Sequence, residues 1–238
     1  MAKFRRFIKA IKDYYQRGEA GDIAYLKIEL LRIRGNENLL AQLKNLENYY
    51  PSVDLEKLAQ LPKGTLGYEY VRHMKENNIH PLKISDDLIE VAKATPFALR
   101  FIATHDIFHV LLGFDTDYAG EIGVLGFTIG QGYSKFLNAY EPVVKNLYPL
   151  IFRDRAKQIK ANFSRGKAIG EQAQCLLAYP FEANWSQSIE DIRTELGLVL
   201  DSQQFDTETN NTTSDRTRSL REANPLGLSQ NCYSLIEP

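Results

Sequence analysis

The chain has 238 residues, one domain and a remainder at about 150 per domain, and its 44% hydrophobic and 25% charged content is ordinary for a soluble globular protein. Lys and Arg number 29 against 30 Asp and Glu, so a net charge of -1 gives no chain-wide basic field and speaks against a nucleic-acid partner. Two cysteines with no secretory signal ahead of them exclude a disulfide scaffold, and the longest apolar run, 122–130, falls short of the ~18 residues that span a bilayer.

Most of the sequence carries helical periodicity, and the fold class it predicts is all-α, a single-domain helical bundle. Residues 1–17 place Phe4, Phe7, Ile8 and Ile11 on one face, with Lys3, Arg5, Arg6, Lys9 and Lys12 on the other. Six basic residues against Asp13 give this segment +5, the composition of an interfacial helix on an anionic membrane. A second apolar pattern runs from about Ile23 to Ile33, with Gly35 as its stop. Residues 54–60 read as a short helix, Thr65 as the cap of a helix from Leu66 to about Asn77, and Ser85 as the cap of one reaching about Lys93. Thr95-Pro96 is the clearest start signal, and the helix it opens should end at Gly113. Another helix is expected from Tyr118 to about Gln131, then further ones at 134–148, 150–161, 166–178 and 188–196. Composition changes after Leu200. Residues 201–238 hold 17 Ser, Thr, Asn or Gln and nine apolar residues, and they read as a polar, disordered tail after a domain over 18–200.

The chemistry lies in His105-Asp106-Ile107-Phe108-His109. Imidazoles four residues apart share one helix face and can point at one cation. Asp106 is either a further ligand or an acceptor that orients an imidazole. Glu121 completes the set, because His109 and Glu121 are equidistant from the short loop 113–117 and so face each other across an antiparallel helix pair. Gly120 beside it would allow close backbone approach. The bland alternative, two core histidines and surface carboxylates, is disfavoured because charges rarely sit unpaired among Ile107, Phe108, Val110, Leu111 and Leu112. His73 and His80 have no such company and read as surface or satisfied histidines. Asp115 and Asp117 read as loop and capping residues. A zincin peptidase would need Glu where Asp106 stands. The donor set of nitrogen and oxygen favours zinc, with magnesium, manganese or iron as alternatives.

His105-Asp106-x-x-His109 followed by eleven residues and Glu121 resembles the signature of the coenzyme Q (ubiquinone) biosynthesis Coq4 family. Pro62-x-Gly64-Thr65-Leu66-Gly67 is similar to that family's upstream element, and Leu111-Leu112-Gly113 and Gly120-Glu121 match the flanks of its ligands. Phe181-Glu182 and Ile192-Arg193-x-Glu195-Leu196-Gly197 resemble its C-terminal element. Arg100 matches the first Arg of an R-Y-R-E-like run, whereas Ile102 and Ala103 replace its later members. The resemblance implies a helical protein on a membrane face with a divalent ion near a prenyl-lipid pocket. It implies either removal of the ring carboxyl of a polyprenyl hydroxybenzoate or a scaffold for other quinone-biosynthesis proteins. A membrane address follows, cytoplasmic face in a bacterium or matrix side of the mitochondrial inner membrane in a eukaryote. An unrelated metal-dependent hydrolase is the third reading, and a homo-oligomer is a further expected partner arrangement. Arg100, Phe101, Phe108 and Leu112, on the helix of the histidines, are the expected substrate contacts, and the apolar faces of Phe97, Phe101, Phe108 and Leu112 predict a cavity for an elongated ligand.

Overall fold

The computed structural model describes residues 8–10, 20–46, 50 and 52–200, and over these the chain is helical as expected, with eleven α-helices and no strand. In chain order they are α1 (Gly21–Leu30), α2 (Glu37–Leu43), α3 (Leu55–Leu58), α4 (Leu66–Glu76), α5 (Asp86–Ala92) and α6 (Pro96–Leu112). Then come α7 (Tyr118–Gly130), α8 (Lys135–Asn146), α9 (Tyr148–Ile151), α10 (Ala156–Gln172) and α11 (Ile189–Leu196). Most of the basic segment 1–17 and all of the tail 201–238 lie outside the described residues.

Short polar side chains set several of the starts. Asn36, Asp54, Thr65, Asp117 and Ser188 each accept a hydrogen bond from a backbone N–H in the first turn of the helix that follows. Gly113 and Gly197 end α6 and α11 in the left-handed conformation, at φ 66° and 67°. Other expectations are corrected. α1 stops before Gly35, because Arg32 itself turns left-handed (φ 53°) and the Ile33 N–H returns to the Ile28 carbonyl at 3.0 Å. Ser85 and Thr95 precede their helices without capping them, since the Ser85 hydroxyl donates to Asp22 at 2.6 Å and that of Thr95 to the Ala92 carbonyl at 2.9 Å. The separate helices expected at 150–161 and 166–178 are replaced by α9 and an unbroken α10.

The reason α10 runs through Gly166 is its packing on α7. A Cβ on Gly166 would stand 2.0 Å from the Gly123 carbonyl oxygen, and one on Gly170 2.3 Å from that of Phe127. From the other side, Gly126 would meet the Phe163 oxygen at 2.4 Å and Gly130 that of Lys167 at 2.3 Å. The two backbones therefore touch, with hydrogen as the only side chain that fits. Each glycine weakens its helix by about 1 kcal/mol against Ala. Burial of the Phe127 and Phe163 side chains, one on each of the two helices, works against that loss.

Two arginines fix the far end of α6. Arg193 donates to the Leu111 carbonyl at 2.9 Å and that of Val110 at 3.2 Å, and Arg165 to that of Leu112 at 3.0 Å. Carbonyls in the last turn of a helix have no partner inside it, so these bonds hold the turn that carries His109. Substituting Gly166 by Ala is expected to destabilise the protein by about 1–3 kcal/mol through overpacking. Ser164→Ala, on the exposed side of the same helix, should leave the urea midpoint unchanged or slightly raised.

Candidate metal centre

α6 turns His105 and His109 to one side, and the first turn of α7 delivers Glu121 to the same point. His105 Nε2 lies 3.2 Å from Glu121 Oε2, and His109 Nε2 lies 3.3 Å from Glu121 Oε1. The two Nε2 atoms are 3.1 Å apart, and all three residues are buried. His109 Nδ1 stands 3.0 Å from the Phe114 carbonyl oxygen. A carbonyl only accepts, so Nδ1 carries the hydrogen and Nε2 turns its lone pair inward. Converging lone pairs and a carboxylate, all out of water, need a cation among them. A tetrahedron with ligand bonds of about 2.0–2.1 Å has edges of about 3.3 Å, close to the spacing found here, so the residues fit a small divalent ion.

Without an ion, a proton takes its place. Burial alone would make His109 less basic, but the Glu121 carboxylate outweighs it and raises the imidazole to about 9. Burial likewise pushes Glu121 up, and His109 with His105 pulls it down to about 2. The ion-free pair is thus imidazolium and carboxylate at neutral pH.

Asp106 is not part of the triad. It is half-buried, and burial raises its carboxyl against the opposing pull of His105 and His109. Phe101 forms a row with Phe97 and His105 at successive helical turns, and all three line an apolar pocket walled also by α1, α7 and α8. It is a narrow slot with a cavity volume of about 70 Å³. His105 is the residue shared by slot and triad, and its Nδ1 is buried with no partner. Phe108 and Leu112 lie further along α6, where it closes on α7: Phe108 packs edge-on against Phe127, ring centres 5.7 Å apart. The wholly buried Arg100 donates to the carbonyls of Leu177 and Tyr179 and to Glu182 at 3.0 Å. None of these three lines the slot. Gly120 makes its close approach to the Asp115 carbonyl of the loop, where a Cβ would lie 1.9 Å away. Asp117 caps α7, as its type and place suggest.

His73, expected to be a surface or satisfied histidine, is neither. From α4 its ring stacks on that of His109, centres 5.8 Å apart, and its Nε2 is buried without a partner. Burial, then His109 and His105, keep it neutral, with a pKa lowered to about 3. The signal was present: Leu66, Tyr70, His73 and Met74 share the inward stripe of α4. His80 is exposed.

The model of the family described as coenzyme Q (ubiquinone) biosynthesis protein Coq4 matches residues 22–201. The chain belongs to that family. It is 30% identical over 153 residues to the mitochondrial ubiquinone biosynthesis COQ4 homolog of Homo sapiens, covering 62% of this chain and 56% of that protein. To the homolog of Xenopus tropicalis it is 28% identical over 152 residues, covering 62% of this chain and 52% of that protein. The chain thus spans little more than half the length of these relatives. A crystal structure of a candidate ubiquinone biosynthesis protein from Nostoc punctiforme shares the fold with a TM-score of 0.54, at 24% identity over 83% of this chain and 97% of that one. Among the described residues of this family member, no helix is long and apolar enough to cross a membrane.

An incoming ion must displace the His109 proton. Apparent zinc affinity, read by competition with a chromophoric chelator, should therefore rise by up to tenfold per pH unit between pH 7 and about 9, and flatten above. Glu121→Gln should weaken binding by at least about 100-fold. It should also abolish that slope, because His109 loses the carboxylate that raises its pKa.

Proposed function

We propose that the chain serves the synthesis of a ubiquinone-type prenylated quinone, taking the isoprenoid tail of a polyprenyl hydroxybenzoate into the slot and its ring to the triad. His105, His109 and Glu121 would hold the divalent ion, zinc before magnesium, manganese or iron. The observation that carries this reading is His105, which is at once an arm of the triad and the polar end of an apolar slot.

The reaction assigned is loss of the ring carboxyl: the carbon–carbon bond breaks, carbon dioxide leaves, and the electron pair stays on a ring carbon that then takes a proton. The ion, when bound, supplies a Lewis acid for the phenolic oxygen. Phe97, Phe101 and Val124 hold the tail and keep water from the ring. Asp106, whose carboxyl is raised by burial, is assigned as the source of the proton. On this reading the protein works at a membrane face, where such precursors reside, mitochondrial in a eukaryote and cytoplasmic in a bacterium, beside other quinone-biosynthesis proteins.

A second reading, a lipid-binding organiser without turnover, is favoured by Arg100. It matches the family's run, yet each nitrogen of its guanidinium donates to Leu177, Tyr179 or Glu182, none of which lines the slot. Zinc-loaded full-length protein given a polyprenyl hydroxybenzoate labelled in its carboxyl group separates the two. Release of labelled carbon dioxide, lost in His105→Ala, is expected, and Phe101→Ala should weaken tail binding about tenfold through lost burial. Tail binding without release would establish the organiser. Neither binding nor release would end both readings.

A further inference from the structure

The corner of α8, α9 and the start of α10 carries charge and apolar exposure that the metal centre does not use. Residues 135–170 hold eight basic and two acidic residues, a net +6 in a chain of -1. Lys135, Arg153, Lys157 and Lys160 are exposed, and none forms an ion pair among the described residues. Within this basic stretch, Leu147, Leu150 and Ile151 are 48%, 64% and 58% exposed. Single exposed aliphatic residues need no explanation, but three within five residues form a patch.

The local fold makes the exposure rigid. Tyr148 and Pro149 take the inward positions of α9, leaving Leu150 and Ile151 outside. The Tyr148 hydroxyl is 2.6 Å from that of Tyr140, and its ring lies near those of Tyr118 and Phe152, at 6.0 and 6.3 Å between centres. Tyr140 and the partly exposed Phe136 also line the slot, so its mouth and the patch share α8.

We infer that this corner docks on an anionic lipid bilayer, with Leu147, Leu150 and Ile151 in the interfacial zone and Lys135, Arg153, Lys157 and Lys160 against the lipid headgroups. Exposed apolar side chains followed directly by Arg153, Lys157 and Lys160, with Lys135 at the other end of α8, and with no ion pair to these cations among the described residues, have the composition of an interfacial surface. A second copy of the chain fits poorly, because a two-fold contact would set one +6 segment against another. Charge and exposure stand apart from the proposed function. Only the use of the surface, passing an isoprenoid from bilayer to slot without crossing water, rests on that reading.

The test is co-sedimentation of the full chain with phosphatidylcholine vesicles, with and without a quarter phosphatidylserine. Binding is expected with the anionic vesicles, at least tenfold weaker for Arg153→Glu/Lys157→Glu/Lys160→Glu and several-fold weaker for Leu150→Ser/Ile151→Ser. Circular dichroism melts of these surface variants should match the parent. As a second readout, Leu150→Trp adds a fluorophore to a chain whose one tryptophan, Trp185, packs near Tyr70. Lipids brominated on the acyl chain should quench it beyond the parent. Unchanged binding by the charge variant, binding lost only on substituting Arg5 and Arg6, or quenching equal to the parent's would each overturn the assignment. So would a dimer that the charge variant dissolves while vesicles go unbound. Isoprenoid binding in detergent should survive these substitutions, so a failed slot and a failed docking surface give different results.

Discussion

A carboxylate removed from water must be met by positive charge, and the Glu121 side chain imposes that condition at the centre of this protein. It is buried between two imidazoles that cannot both stay neutral around it without leaving charge uncompensated. A proton on His109 or a divalent ion satisfies the same geometry. The difference between the two occupants lies in what they leave open: a proton closes the pair into a salt bridge, whereas a metal with three protein ligands retains a position for something else.

Such a site works only if the two helices that supply it hold their places to a fraction of an ångström. α6 is held at its far end by arginine bonds to the carbonyls of Val110, Leu111 and Leu112, just beyond His109. α7 is held by backbone contact with α10, through glycines on both sides. Its first turn is fixed separately, by the Asp117 cap and by Gly120 lying against the Asp115 carbonyl. The glycine seam and the arginines never touch the triad. They decide where His109 and Glu121 stand, and therefore whether three donor atoms converge.

What was legible in the sequence was what local rules govern. The His105–His109 spacing gives one helix face, a short loop gives an antiparallel neighbour, and Asp117 and Gly113 mark the ends between them. What was not legible depended on packing between distant segments. Gly166 reads as a break until α7 is placed beside it, and then it becomes the condition for an unbroken helix. Arg32 stops α1 in a conformation that a glycine would ordinarily supply, so Gly35 misleads. α2 passed unread although Asn36 caps it. The apolar row of α6 was visible, but not where along it the slot ends. Phe101 faces space, and Phe108, seven residues on at nearly the same angle, faces Phe127. His73 was missed because its partners come from another helix, even though its own stripe pointed inward.

The two histidines of the triad also differ in how the protein holds them. Each imidazole has two nitrogens, and a group built solely to hold an ion gains by having the outer one satisfied by the protein. His109 meets that description, with Nδ1 donating to the Phe114 carbonyl. His105 does not: its Nδ1 is buried and unpartnered, at a cost that a purely structural site would have no reason to carry. It is also the histidine that lines the apolar slot. The asymmetry thus sets two equally spaced imidazoles apart: His109 is held by the protein at both nitrogens, whereas His105, the one shared with the slot, is held at Nε2 alone.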